Sequence, residues 1–89
     1  MQVFMSEINI KVLYFAAAKE AIGFNDEIIK FTHAPTLSQL QAELYSRYPQ
    51  LEPLKPYLRW ALNQSFVEDE NTLLSDLDEV AIIPPISGG

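Results

Sequence analysis

The chain has no cysteine. That excludes disulfides, thiolate zinc clusters, a catalytic thiol and a persulfide held on a side chain. Histidine is reduced to His33 alone, in "THAP" ahead of a helix. One histidine without a serine, cysteine or metal partner is not a site, so His33 reads as a loop or capping residue. Basic residues are also scarce: six Lys and Arg stand against twelve Asp and Glu, a formal charge of −6 with pI near 4.5. Such a surface argues against nucleic acid, whose binders neutralise phosphate with Lys and Arg, and against anionic membranes. It suits a partner with a basic groove. Long apolar runs are missing as well. The opening "MQVFMSEINIKVLYFAAAKEA" is broken by Glu7, Asn9 and Lys11 and has no basic segment before it, so it does not read as a signal peptide. No stretch is long enough to span a bilayer, and a cytoplasmic protein is expected. Glycine occurs three times, and two of the three are Gly88 and Gly89.

What is present is a core. Hydrophobic residues make up 48% of 89 residues, enough for one small domain. In "INIKVLYF", Ile8, Ile10, Val12 and Tyr14 alternate with Asn9, Lys11, Leu13 and Phe15, the period of a strand. The second set turns apolar at its end, which predicts a central strand covered there on both faces. "AAAKEAIG" predicts a short helix closed by Gly23. "DEIIKF" is a second strand. "TLSQLQAELYSRYP" predicts the main helix. Thr36 and Gln39 stand at capping-box spacing, Leu37, Leu40, Leu44 and Tyr48 share a face, and Pro49 ends it. "QLEPLKPY" reads as a loop or a single helical turn. "LRWALN" and "SFVED" read as two strands turning near Asn63 and Gln64, and "EVAIIP" as a last strand apolar on both sides. Trp60 reads as a core residue before a partner-facing anchor. The acidic runs "EDEN" and "SDLDE" lack calcium-loop spacing and read as solvated turns, so no metal site is expected.

One amphipathic helix over a mixed sheet of four to five strands is an α+β domain in two layers. The first and last strands are the most apolar, so they should pair at the centre, and entry of the two strands from the same side would make that pairing parallel. That is the ubiquitin-like β-grasp arrangement, expected over residues 1–84 with a tail at 85–89. In the tail, Pro84 and Pro85 cannot donate ladder hydrogen bonds and hold the chain extended. Ile86 and Ser87 follow. Gly88 and Gly89 let a partner's channel close around bare backbone. The reactive group on offer is the Gly89 α-carboxylate. A carboxylate is a poor acyl donor until activated, and adenylation by ATP is the usual route. An amine attacking the adenylate gives conjugation; a sulfur donor gives a thiocarboxylate.

"VLYFAAAKEAIG", "LRWALNQSFVEDE" and "LSDLDEVAIIPPISGG" together resemble the small, sulfur-carrier subunit of molybdopterin synthase, in the ubiquitin-like group that also holds the thiamine-pathway carrier. The resemblance runs from Ile8 to Gly89. Phe15, Ala16, Glu20 and Gly23 match the first motif, with Lys19 in place of the usual arginine. Pro84, Pro85, Ser87, Gly88 and Gly89 match the last. The departures are the additional "MQVFMSE", with Met5 an alternative initiator, and Ala17 and Ala18 in the first turn. The resemblance implies a carrier that is not an enzyme alone and binds no cofactor. A ubiquitin-activator-like adenylyltransferase would use ATP to adenylate Gly89. A sulfur donor protein would then leave a covalent thiocarboxylate there. Pro85, Ile86, Ser87 and Gly88 would enter the large catalytic subunit, in a heterotetramer, where sulfur passes to cyclic pyranopterin monophosphate. Leu62 and Phe66 are expected on the open sheet face as contacts to that subunit. The competing readings are a ubiquitin-like modifier, a carrier for thiamine or tRNA thiolation, and a plain interaction domain.

Overall fold

The computed structural model describes residues 7–85. In chain order these form β1 (Ile8–Tyr14), α1 (Ala16–Ile22), β2 (Asp26–Phe31), α2 (Leu37–Arg47), a 3₁₀ helix (Pro49–Tyr57), β3 (Arg59–Leu62), β4 (Ser65–Phe66) and β5 (Glu79–Ile83). The caps are where the sequence places them. Gly23 ends α1 at φ 99°, and its N–H donates to the Lys19 carbonyl at 2.7 Å. This is the left-handed position that glycine fills without a Cβ clash. Thr36 Oγ1 accepts from the Gln39 N–H at 3.2 Å, and Gln39 Oε1 accepts from the Thr36 N–H at 2.8 Å. That reciprocal box stabilises α2 by about 1 kcal/mol.

The segment after Pro49 is more ordered than a loop or one turn. It is a 3₁₀ helix of nine residues. Pro53 and Pro56 cannot join an i→i−4 ladder, but their fixed φ suits a tighter turn. The tightening turns Leu51 inward until it is fully buried.

The strands form one sheet in the order β2-β1-β5-β3-β4. β1 and β5 pair in parallel, Lys11 with Glu79 through Tyr14 with Ile82. The other pairings are antiparallel. The first and last strands therefore meet at the centre, as their apolarity predicts. Side chains of paired residues share a face. Ile10, Val12, Tyr14, Ile29, Trp60, Val80 and Ile82 line the helix-covered face and pack with Leu37, Leu40 and Leu44 of α2. Trp60 belongs to this core and is buried. The helical face named from the sequence is the one buried, with Tyr48 half-buried at its end.

The second face is not covered. Leu13, Ala81 and Ile83 are half-buried and Phe15 is exposed. The expectation that β1 is covered on both sides at its end is thus corrected: both helices and the 3₁₀ helix contribute to a core on one side only. Leucine at position 13 is apolar for another reason.

A polar cluster closes the covered side at the β2 edge. Glu27 Oε2 accepts hydrogen bonds from the Tyr14 hydroxyl at 2.5 Å and from the Tyr48 hydroxyl, and Arg47 lies 3.9 Å from Glu27 Oε1. Tyr14, Tyr48 and Phe24 pack edge to face around it. Burial, then the hydrogen bond to Glu27, raises the Tyr14 hydroxyl well above its ordinary value. The same two causes push Tyr48 up to about 12. Ionising either phenol beside a carboxylate is unfavourable, so both stay protonated donors.

Candidate docking face and tail exit

The acidic loop ahead of β5 is built to aim that strand. Asp78 accepts from the Asn63 side-chain amide at 2.9 Å and from the Ser75 N–H at 2.7 Å. Asn63 Oδ1 accepts from the Glu79 N–H at 2.9 Å, and Asp76 accepts from the Asn9 N–H at 2.7 Å. In the run "SDLDE", Ser75, Asp76 and Leu77 are exposed, but Asp78 and Glu79 are half-buried, and the carboxylates of Asp76 and Asp78 bracket three segments rather than face only water. Leu74 beside it is fully buried and bonded to the Pro35 carbonyl. Among the described residues no acidic or histidine cluster could hold a metal ion.

β5 then crosses the sheet centre and stops at Ile83, where the two prolines begin. Pro84 is buried and Pro85 is exposed. The strand therefore releases the chain at one end of the sheet, beside Phe15 at the start of α1. Ile86, Ser87, Gly88 and Gly89 lie outside the described residues, as does the segment with Met5.

Around this exit the open face is apolar. Leu13, Phe15, Ala61, Phe66, Ala81 and Ile83 surround a concavity of about 320 Å³, with Gln64 and Glu79 on its margin. Phe66 is 56% exposed and Phe15 47% exposed. Exposed rings contiguous with other apolar side chains make this face a candidate interaction site. Arg59 holds its guanidinium carbon 3.7 Å from the Phe66 ring centroid, fixing the ring and placing a cation at the rim. The same face also carries charge: Arg59 pairs with Ile83, Asp26 with Leu13, and Lys11 lies between Glu79 and the exposed Ile28.

Of the two residues named from the sequence as contacts, the structure keeps one on this face. Phe66 pairs with Ala61 and shares its open side. Leu62 pairs with Val80 and packs half-buried against the core, so its placement on the open face is corrected. The cause is the two-residue turn. Asn63 and Gln64 both take positive φ, 48° and 73°, and Leu62 pairs across them with Ser65. A tight hairpin resets the alternation, so residues four apart end on opposite faces. Leu13, Phe15, Ala61, Ala81 and Ile83 were not named as contacts. Their signal was in the sequence, as the apolar second set of β1 and β5, but it read there as burial.

Two further results bear on this site. Residues 12–89 match the ThiS family. Over 83 residues the chain is 39% identical to the molybdopterin synthase sulfur carrier subunit of Chlamydomonas reinhardtii, covering 92% of this chain and all of that protein. Among solved structures, SAMP1 from Haloferax volcanii superposes with a TM-score of 0.80 at 20% identity, covering 91% of this chain and 99% of that one. It supports the β-grasp fold. A chain from the complex of subunits 1 and 2 of the molybdopterin-converting factor of Helicobacter pylori superposes with a TM-score of 0.70 at 26% identity, covering 92% of this chain and 100% of that one.

Proposed function

The chain belongs to the ThiS family, and from that premise we propose that it is the sulfur-carrying small subunit of a molybdopterin synthase. The observation that carries the reading is the junction of β5 with the two prolines. It releases "ISGG" at the edge of an exposed apolar face. A carrier has to be gripped by its body while its end is worked on elsewhere, and this geometry separates the two.

The chemistry resides at Gly89. A ubiquitin-activator-like adenylyltransferase joins the carboxylate to AMP, with pyrophosphate leaving from ATP. Sulfur delivered by a donor protein at the sulfide level forms a C–S bond to the acyl carbon as the C–O bond to AMP breaks, leaving a thiocarboxylate. The apolar face then docks on the large subunit. Pro85, Ile86, Ser87 and Gly88 thread inward, the sulfur bonds to cyclic pyranopterin monophosphate, and water cleaves the acyl C–S bond, returning Gly89 to a carboxylate. Two such deliveries build a dithiolene, which suits a heterotetramer. The groups acting on the pterin belong to the large subunit, and this chain supplies position and sulfur. An uncharged thread enters a channel without stripping water from extra charge. The acidic body is steered by a basic rim.

Intact-mass measurement of the purified chain, incubated with ATP, the activating enzyme and a sulfur donor, tests this directly. One terminal oxygen is exchanged for sulfur, and the product regains oxygen on incubation with the large subunit and pterin. An unchanged mass with a competent activator rejects the reading. Adducts joining Gly89 to lysines of other proteins would move the assignment to a modifier.

A further inference from the structure

A second hollow lies on the far side of Phe15 and Ile83. Its walls are Ala16, Ala17, Pro84 and Pro85, and its volume is about 530 Å³. One carboxylate stands in it, that of Glu20, which is exposed and makes no ion pair with another described residue. Lys19 lines a different hollow, with Asn25 and Asp26.

The reach of the tail decides what covers this hollow. Four residues follow Pro85. Fully extended they span at most about 14 Å, at 3.3–3.6 Å per residue. A protein that encloses Gly89 therefore holds its own surface within about that distance of Pro85, close to the hollow that Pro84 and Pro85 wall. This step rests on the functional reading above. The contents of the hollow then select its occupant. A purely apolar side chain would cover Glu20 and leave its charge without water or partner, which is unfavourable. A short cation would leave the alanine and proline walls empty. A long aliphatic stem with a cationic head satisfies both, and a guanidinium or ammonium near Phe15 gains from the ring face as well.

We propose that the hollow at the tail root receives an arginine or lysine side chain of the large subunit, its stem against Ala17 and Pro85 and its charge on Glu20. The carrier is then held on both sides of its exit strand, by the apolar face on one side and by this pair on the other.

The test is a calorimetric titration of the full chain with the large subunit at two ionic strengths. Glu20→Lys weakens binding by about tenfold or more, as expected of like charges brought together, and Glu20→Gln weakens it less and flattens the salt dependence. Ala17→Trp, which fills the hollow, weakens it by a comparable factor. Phe66→Ala serves as the reference for the apolar face. If the Glu20 and Ala17 variants all bind within about twofold of the parent while Phe66→Ala weakens binding tenfold, the hollow is unoccupied and the inference falls, with the carrier reading intact. If Ala17→Trp alone weakens binding, the occupant is apolar and the cationic assignment is overturned. Should Ala17→Trp fail to fold, the exposed Glu20 variants still decide. A parent chain that accepts no terminal sulfur defeats the functional reading itself, by a measurement independent of Glu20.

Discussion

The two faces of the sheet are made from the same strands, often from neighbouring residues, and have opposite fates. Val12, Val80 and Ile82 are fully buried under α2, while Leu13, Ala81 and Ile83, each next in sequence, remain half-covered beside an exposed Phe66. Period-two alternation thus divides β1 and β5 into a set that holds the fold and a set that neither helix covers, the one proposed above for docking. It follows that stability and docking are separable one residue at a time.

The largest effect should come from the covered face. Leu40→Ala or Ile82→Ala is expected to cost about 2–5 kcal/mol in urea unfolding, through lost burial and the cavity left behind. A cost under 1 kcal/mol at both would mean that this face is not the core. Next is the polar corner of the same side. Glu27→Gln leaves two phenol donors and Arg47 facing a neutral amide and should cost about 1–3 kcal/mol by the same measurement. The tyrosines add a pH signature. Their hydroxyls ionise less readily folded than unfolded, so their contribution is complete below the ordinary tyrosine value of 10.0 and is lost as pH rises through about 12 at Tyr48, with Tyr14 holding its proton further. The stability of the parent chain should fall on that alkaline limb, and a Tyr14→Phe, Tyr48→Phe double variant should flatten it.

On the open face the effect should appear in binding instead. Phe66→Ala is expected to weaken association with the large subunit by about tenfold, near 1.4 kcal/mol, while shifting unfolding by less than about 1 kcal/mol. Equal losses in both assays would erase the distinction between the faces. The smallest prediction lies away from both. Leu77 is 79% exposed at φ 72°, a left-handed backbone that disfavours a Cβ. Leu77→Gly should raise stability by about 0.5–1 kcal/mol and leave docking unchanged.

How much of this was legible beforehand depended on range. Local chemistry read well. Thr36 with Gln39, Gly23 with the end of α1, and the leucine face of α2 all follow from neighbours within one or two turns. The central pairing of β1 with β5 followed from their apolarity, because the most apolar strands occupy the sheet centre, and its parallel direction from entry of both strands on the same side. Three things were hidden. The turn at Asn63 and Gln64 was read, but the face of Leu62 depended on its pairing across that turn with Ser65, which puts Phe66 on the opposite side. The inward turn of Leu51 depended on prolines that punctuate a sequence but here shape a helix. Tyr14, Glu27 and Tyr48 come from three elements, and no spacing between them announces a shared proton network. The site itself was half visible: Pro84 and Pro85 mark the exit, but an apolar second face looks the same in sequence whether a helix or another protein covers it.

The central place of β5 also bears on how the protein is made. A ribosome delivers β1 first and Glu79–Ile83 last, and until that strand arrives β1 and β3 have nothing to join them. A nascent or truncated chain lacking it would show its unpaired apolar strands to chaperones and proteases. Folding therefore audits synthesis. A molecule whose sheet is complete has been translated at least through Ile83.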